Sequence, residues 1–239
     1  MSDVKTVLGL MSGTSLDGID LAVLETDGGV HIKLHRDGFV PYSDATRDLL
    51  RRVLDDTAAW PTEKMRKRAD WPDVLLEAEH AVTQAHSKAV QAFLGDIEVM
   101  LVGFHGQTIS HRPDEGFTLQ IGDGQALANE LYTDVVGQFR LADMAAGGQG
   151  APLAPLFHAA LAGEERPFCV LNLGGIGNLT WLGADDAILA FDTGPANALI
   201  DDWVKQKTGA PLDKDGALAR RGTVDETALA TLMAHPFFD

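Results

Sequence analysis

Short apolar segments alternate with turns rich in glycine and small polar residues at the start of the chain. Residues 7–11 and 19–24 are apolar and flank the turn sequence SGTSLDG, which predicts a β-hairpin. Residues 31–40 supply a third strand. Ser43 follows that strand and is expected to cap a helix that runs to about residue 56.

Helical periodicity is clearest in the segment between Pro72 and Gly95. Apolar residues recur there at steps of three and four, which predicts a helix with one buried face. A buried strand over residues 97–103 leads into the polar sequence HGQTISHRP. A second strand at residues 117–121 ends in Gly-Asp-Gly, which opens a further helix. A helix beginning at Pro152 is expected to close this part of the chain.

The sequence GEERP separates two parts that share one pattern. Beyond it, two apolar segments flank the turn LGGIGN, and a third strand precedes a helix, as at the start of the chain. The repeated elements are residues 168–173, 179–182, 188–191 and 198–207. We therefore predict α/β domains at residues 1–165 and 166–239.

The composition excludes several classes of protein. The chain has 239 residues, 45% of them hydrophobic and 23% charged, as in ordinary globular proteins. Its 19 Lys and Arg against 35 Asp and Glu give a formal charge of −16, which disfavours nucleic acid and anionic lipid as partners. We expect neither a membrane span nor a signal peptide, and a cytoplasmic location. The single cysteine, Cys169, lies in an apolar run and is expected to be buried.

Sequence signatures of several common sites are missing. The P-loop pattern does not occur, and each Gly-x-Gly pair lacks the third glycine of the dinucleotide fingerprint. Paired cysteines, H-E-x-x-H and G-x-S-x-G are missing as well, which argues against structural zinc, zinc proteases and serine hydrolases. The candidate chemistry therefore lies in the polar turns.

The turn between the first two strands has the composition of a phosphate site. Its glycines let the backbone approach a ligand, and its threonine and serine offer hydroxyl and N–H donors. Asp17 and Asp20 could hold a hydrated Mg²⁺. A plain hairpin turn favours the same residue types, so composition leaves a purely structural role open.

Three further segments carry candidate chemistry. The second turn, LGGIGNLT, could surround a phosphate with N–H groups alone. In FDTGPAN, Asp192 ends a short strand before a helix and could accept a proton from an attacking water; the alternative is a carboxylate bonded to its own turn amides. HGQT places His105 and Gln107 after a buried strand, with hydrogen-bonding groups that suit a sugar.

Together these segments resemble the anhydro-N-acetylmuramic acid kinase family. The similar segments run in one order from Gly9 to Trp203: GLMSGTSLDGIDLAVLE, GFHGQTISHRP, TLQIGDGQALA, FRLADMAAGGQGAPLAP, LNLGGIGNLTWL and FDTGPANALIDDW. The resemblance implies an actin-like, sugar-kinase-type fold with two ribonuclease-H-like lobes around a cleft. It also implies an ATP- and Mg²⁺-dependent enzyme of bacterial cell-wall recycling. That enzyme opens the 1,6-anhydro ring of the amino sugar with water and phosphorylates O6, giving N-acetylmuramic acid 6-phosphate.

The resemblance also implies roles for individual residues. Asp192 would activate the water, and the Mg²⁺ that accompanies ATP would be held by Asp17 and Asp20, the two carboxylates already singled out in the first turn. The implied phosphate-binding residues are Gly13, Thr14, Ser15, Leu16, Asp17, Gly18, Ile19, Asp20, Gly174, Gly175, Gly177 and Asn178. The residues implied near the sugar are His105, Gln107, Arg140 and Asp143.

Members of the family are longer than this chain. The resemblance implies that the adenosine-binding part follows residue 239, so we expect an incomplete second lobe, with Phe237 and Phe238 packing on a further segment. Two alternatives remain open: another actin-like small-molecule kinase, and a catalytically silent fragment that binds sugar or a partner chain. A homodimer stays open as well.

Overall fold

The computed structural model describes residues 3–236, which divide into two compact units between Leu153 and Ala154. Both units combine strands and helices, which confirms the predicted α/β class. Phe237 and Phe238 lie outside the described residues. None of the helices within residues 3–236 is long and apolar enough to cross a membrane.

A twisted sheet with helices packed on it forms the first unit. Its strands are β1 (Lys5–Ser12), β2 (Gly18–Thr26), β3 (Ile32–Pro41), β4 (Leu101–Arg112), β5 (Phe117–Ile121) and β6 (Asp134–Gly137). Its helices are α1 (Asp44–Ala58), α2 (Thr62–Arg66), α3 (Asp73–Leu94), α4 (Gly124–Leu131) and α5 (Phe139–Ala145). The sheet runs in the order β3-β2-β1-β4-β5, and β6 pairs with β4. β2 is antiparallel to both β1 and β3. β4 runs parallel to β1, and β6 runs parallel to β4, as in a ribonuclease-H-like lobe.

The predicted start of α1 and both ends of α3 hold, because local signals and burial agree there. Ser43 caps α1, accepting a hydrogen bond from the backbone N–H of Thr46 at 3.1 Å. α3 lies between Pro72 and Gly95, as its periodicity predicts. Apolar side chains from the sheet and from α1 and α3 form one core, which includes Leu8, Leu21, Leu50 and Val82.

β4 differs from the prediction, because it begins later and continues through the polar sequence to Arg112. Its first half pairs with β1 and β6, and its second half pairs with β5. Gly106 lies between the halves with φ +70°, and a Cβ there would be 2.6 Å from the carbonyl oxygen of Ile121. His105 and Gln107 are therefore strand residues rather than loop residues. Backbone groups of this polar segment form hydrogen bonds with β1 and β5, which allows the strand to continue.

The second unit repeats the opening of the first, as predicted. Its elements are α6 (Ala154–Ala162), β7 (Phe168–Leu173), β8 (Ile176–Leu182), β9 (Ile188–Pro195), α7 (Asn197–Thr208) and α8 (Glu226–Met233). β7, β8 and β9 form an antiparallel sheet in that order. α6 packs on β8 and β9, so it belongs to the second unit, whereas the sequence boundary after residue 165 assigned it to the first.

Two details of the second unit differ from the sequence expectations. β8 and β9 extend further into the turns, so Gly177, Asn178 and Asp192 lie within strands. Cys169 is exposed, and its predicted burial is wrong. β7 has one neighbouring strand, and most of its side chains are exposed in this chain, including the apolar ones.

Candidate functional site

The turn between β1 and β2, residues 13–17, has three carbonyl groups that are bonded by other parts of the protein. These carbonyls accept hydrogen bonds from three other parts of the first unit. The bonds are Gln107 Nε2 to Gly13 O (2.9 Å), Arg47 Nε to Leu16 O (3.3 Å) and Tyr42 N to Asp17 O (3.0 Å). A further bond from Leu16 N to Gly13 O, at 3.2 Å, closes the turn.

The backbone N–H groups of Thr14 and Ser15 are left unpaired by this arrangement. Both residues are exposed, and neither N–H donates to an acceptor among residues 3–236. A Cβ at Gly18 would be 2.3 Å from the carbonyl oxygen of Val40, so that glycine is required by the fold. At Gly13 the nearest atom to an added Cβ is Ser15 Oγ at 3.8 Å, so the protein leaves that position open. The turn can therefore present N–H donors to an anion.

The two carboxylates of the turn segment differ in their surroundings. Asp17 Oδ1 accepts hydrogen bonds from Ser15 Oγ at 2.6 Å and from Gly18 N at 3.0 Å. The Asp20 carboxylate accepts none from the described residues. Burial, and then the charge of Asp17, raises the pKa of Asp20. Asp20 thus has carboxylate oxygens free of hydrogen bonds from the described residues, whereas Asp17 Oδ1 is already bonded within the turn.

Gln107 lies underneath the turn and is fully buried. Its amide donates to Gly13, and its Oε1 is 3.5 Å from the hydroxyl of Tyr42. Next to it, the buried Ser12 Oγ donates to the carbonyl of Gly106 at 3.0 Å. The Gln107 side chain is thus enclosed by its protein partners, and the sugar contact implied for it stays a prediction.

The other three residues expected near the sugar form one hydrogen-bonded network. Arg140, on α5, donates from Nη2 to His105 Nε2 at 2.9 Å and from Nη1 to Gly150 O at 2.7 Å. Asp143 accepts a bond from Gly150 N at 2.7 Å. His105 Nδ1 lies 2.7 Å from the carbonyl oxygen of Gly106. A cavity of about 260 Å³ borders His105, with Phe104 and Val135 in its wall.

The second turn, at Gly174 and Gly175, also directs its carbonyl groups inward. Here the donors come from the start of α7. The bonds are Asn197 N to Gly174 O (2.9 Å), Ala196 N to Gly175 O (3.1 Å), Ala198 N to Gly175 O (3.2 Å) and Asn197 Nδ2 to Leu173 O (2.8 Å). The first amides of α7 are therefore engaged by the turn. Within residues 3–236, no acceptor receives the N–H groups of Gly174 and Gly175.

Asp192 lies on β9 directly opposite Asn178 of β8. Its side chain is exposed, and its carboxylate accepts no hydrogen bond from the part of the chain that the structure describes. The alternative in which Asp192 bonds its own turn amides is therefore wrong. Gly177 is packed closely here, because a Cβ would be 2.9 Å from Thr193 Oγ1. The second unit thus places a free carboxylate beside the glycine turn.

Sequence reasoning missed the residues that hold the first turn in place. Tyr42 and Arg47 come from the end of β3 and from α1, and no motif connects them with the turn. It also missed two backbone carbonyls: Gly106 O accepts a hydrogen bond from Ser12, and Gly150 O accepts one from Arg140. Patterns of side chains do not reveal such contacts. The one available signal was glycine at Gly106 within an otherwise strand-like segment.

Comparison with known proteins identifies the family. The family model for anhydro-N-acetylmuramic acid kinase matches residues 5–239. The chain belongs to this family. An anhydro-N-acetylmuramic acid kinase from Nitrobacter winogradskyi is 47% identical over 98% of this chain and 65% of its own length. One from Rhizorhabdus wittichii is 49% identical over 97% of this chain and 64% of its own length.

The chain thus spans about 65% of the length of curated members of the anhydro-N-acetylmuramic acid kinase family. Among solved structures, a Ppx/GppA family member from Aquifex aeolicus aligns with 84% of this chain and 54% of its own, at 12% identity and a TM-score of 0.39. That likeness is too weak to support a conclusion.

Proposed function

We propose that the chain provides the phosphate-binding and sugar-binding parts of an ATP-dependent kinase for 1,6-anhydro-N-acetylmuramic acid. The reaction adds water at the anomeric carbon, breaks the bond from that carbon to O6, and transfers the γ-phosphoryl group of ATP to O6. N-acetylmuramic acid 6-phosphate and ADP are the products. Family membership supports the substrate, and the geometry of the two turns supports the phosphate chemistry.

The observation that carries the proposal is the orientation of the turn at residues 13–17. Three of its carbonyls are bonded by other parts of the first unit, and the exposed Thr14 and Ser15 keep N–H groups that donate to no acceptor among residues 3–236. N–H groups fixed in this way attract an anion without lysine or arginine. This matters in a chain with a formal charge of −16, where an anionic nucleotide needs local donors.

Asp192 is the proposed base for the attacking water. Water is a poor nucleophile, and a carboxylate that accepts its proton during attack raises the rate. The Asp192 carboxylate is exposed and has no competing hydrogen bond among residues 3–236. After attack, the proton taken by Asp192 passes to solvent, and O6 carries the phosphoryl group.

The carboxylates of Asp17 and Asp20 also fit a magnesium ion. Mg²⁺ is commonly held by one or two carboxylates together with phosphate oxygens and water, and when bound it neutralises phosphate charge. Asp20 is the proposed ligand because its oxygens are free of hydrogen bonds, whereas Asp17 already binds Ser15 and Gly18. The described residues contain no cluster of three or more His, Cys, Asp or Glu, which disfavours a site built from protein ligands alone.

The proposal predicts ADP release that depends on the anhydro sugar. Asp192→Asn should lower turnover by about 10²–10⁴-fold, because the proton acceptor is lost while the shape is kept. Asp202→Asn, an exposed carboxylate on α7, is the matched control and should keep turnover. Turnover and sugar binding are measured on this chain and on a full-length relative carrying the same substitution. Normal turnover in the Asp192 variant of the relative would contradict the assignment.

The metal assignment has its own test. Asp20→Asn should raise the Mg²⁺ concentration that half-saturates ATP binding, because the ion loses a charged ligand. Asp37→Asn, an exposed carboxylate on β3, should leave that concentration unchanged. Calorimetric titration of ATP at several Mg²⁺ concentrations measures the effect. An unchanged response in Asp20→Asn, together with a changed one in Asp17→Asn, would assign the ion to Asp17 instead.

A further inference from the structure

We propose that His105 is a positioning residue: it fixes the guanidinium of Arg140 for the sugar contact that the family resemblance implies, and does not contact the sugar itself. This inference rests on the proposed function and concerns the sugar-binding side of the same site. It assigns the two residues different roles, although both lie in segments similar to the family.

Hydrogen-bond donors and acceptors fix the tautomer of His105. A backbone carbonyl can only accept, so the contact with Gly106 O requires a proton on Nδ1. A guanidinium can only donate, so the contact with Arg140 Nη2 requires a lone pair on Nε2. The ring is therefore neutral, with its proton on Nδ1. Burial, reinforced by the charge of Arg140, lowers the pKa of His105 and favours the same neutral form.

Both ring nitrogens of His105 are consequently occupied by protein partners. The imidazole has no lone pair left to accept a proton and no N–H left to donate to a sugar. Gly106 O also accepts the bond from the buried Ser12 Oγ, so the ring is anchored at the carbonyl that joins β4 to the first turn. His105 thus links Arg140 to the phosphate-binding segment.

Arg140 keeps unused donors. A guanidinium has five N–H groups. The contacts with His105 and Gly150 use one on each terminal nitrogen, the Nε–H is buried without a partner among residues 3–236, and each terminal nitrogen keeps one further N–H for a ligand. Arg140 forms no salt bridge with a carboxylate among residues 3–236, and burial lowers its pKa. A partly buried cation without a counter-charge is stabilised by acceptor oxygens from a ligand, and a sugar acid supplies hydroxyl and carboxylate oxygens.

A double-mutant cycle on sugar binding tests the two roles. His105→Phe removes the acceptor for Arg140 and should weaken binding of anhydro-N-acetylmuramic acid about tenfold, since a charge-assisted hydrogen bond is lost. Arg140→Met should weaken it at least as much, and the double variant should be no weaker than Arg140→Met alone. His105→Gln places an acceptor near Nε2 and should retain most of the affinity. His80→Phe, on the exposed side of α3, is the matched control.

The proposal would be overturned if the losses of sugar affinity from His105→Phe and Arg140→Met were additive in the double variant. It would also be overturned if His105→Gln bound the sugar as weakly as His105→Phe. In either case His105 would contact the sugar itself. A second measurement needs no ligand. Nitrogen-15 NMR of the imidazole should show the neutral ring with its proton on Nδ1, and a charged ring or the other tautomer would also overturn it. If neither the wild-type chain nor a full-length relative binds the anhydro sugar while the NMR result holds, the proposed function fails, whereas the hydrogen bond by which His105 positions Arg140 stands.

Discussion

Buried polar side chains decide the shape of the first turn. Gln107 is enclosed, yet its amide reaches across from β4 to the carbonyl of Gly13, and Tyr42 contacts its oxygen. Such a group is stabilising only while its partners are present, because an unpaired buried carbonyl loses its hydrogen bonds to water without replacement. A single substitution at Gln107 should therefore affect both stability and the anion site.

Replacement of Gln107 by leucine should lower the free energy of unfolding by about 1–3 kcal/mol, because Gly13 O loses its buried donor. ATP affinity should fall as well, since the turn is no longer held in one orientation. Urea unfolding and calorimetry measure the two effects. Gln91→Leu, at an exposed site on α3, is the control. Equal stability and ATP affinity in the Gln107 and Gln91 variants would show that the contact is dispensable.

A second buried polar group gives the fold a dependence on pH. His86 is fully buried on α3, where its Nδ1 donates to Val82 O at 2.8 Å, and burial lowers its pKa to about 4. The unfolded chain takes up the proton near the usual value of 6.5. The contribution of neutral His86 is therefore fully present above that pH and is lost as the pH falls toward about 4.

This dependence can be measured by urea unfolding between pH 7.5 and pH 4.5. Protonation of His86 should contribute a loss on the order of 3 kcal/mol across its full titration range, at about 1.4 kcal/mol for each unit of pKa shift. His86→Phe should lose less over the same interval. His80→Gln, an exposed histidine on the same helix, should behave like the wild type. Parallel curves for the wild type and His86→Phe would contradict the assignment.

At the scale of elements, the turns of the two hairpins are held in the same way, by hydrogen bonds to their carbonyl groups, but the donors come from different elements. In both, carbonyls of the turn face the protein and accept bonds from elements far along the chain or from the following helix.

Apolar periodicity was enough to predict the strands and α3, because their burial is regular. The extension of β4 was not predictable from its polar residues, since it depends on pairing with β1 and β5. The inward bonds of the turns involve backbone groups, which leave no pattern in the sequence.

The two glycines of the first turn should respond differently to the same substitution. Gly18→Ala should destabilise the first unit strongly, because its Cβ would lie 2.3 Å from the backbone oxygen of Val40. Gly13→Ala meets no atom closer than 3.8 Å, so its stability should stay near that of the wild type. Its ATP affinity should nevertheless fall, because the methyl group would stand where phosphate approaches. Thermal unfolding and calorimetry separate the two effects. Undiminished ATP affinity in a folded Gly13→Ala chain would argue against phosphate at this turn.

The two units differ in how much core each contains. The buried apolar cluster runs from Leu8 to Leu127 and lies wholly in the first unit. In the second unit, Leu182 and Val204 are buried, while large apolar side chains such as Leu171, Phe191 and Trp203 are exposed in this chain. Sequence patterning predicted the apolar strands of both units correctly. It could not show which apolar strands have other elements packed on them. For that reason the predicted burial of Cys169, on the exposed strand β7, was wrong.

Amide exchange should reflect this difference. Backbone amides of β1 and β4 should exchange slowly, near the rate set by global unfolding, and those of β7 to β9 should exchange faster because less apolar burial protects them. A fragment of residues 1–153 should unfold cooperatively, since it contains the whole buried cluster. Exchange measured by mass spectrometry tests the first expectation, and urea unfolding of the fragment tests the second. Equal protection in both sheets would contradict this division of stability.

The bond between Gln107 and Gly13 also sets an order of events during synthesis. The two residues are 94 positions apart, so the turn leaves the ribosome long before its donor is made. During that interval Gly13 O can bond only water or transient partners, and β1 lacks its parallel neighbour β4. Closing so long a loop is slow compared with forming the hairpin itself. A nascent chain released before β4 would therefore carry the complete turn sequence without the hydrogen bond on which the proposed anion site depends.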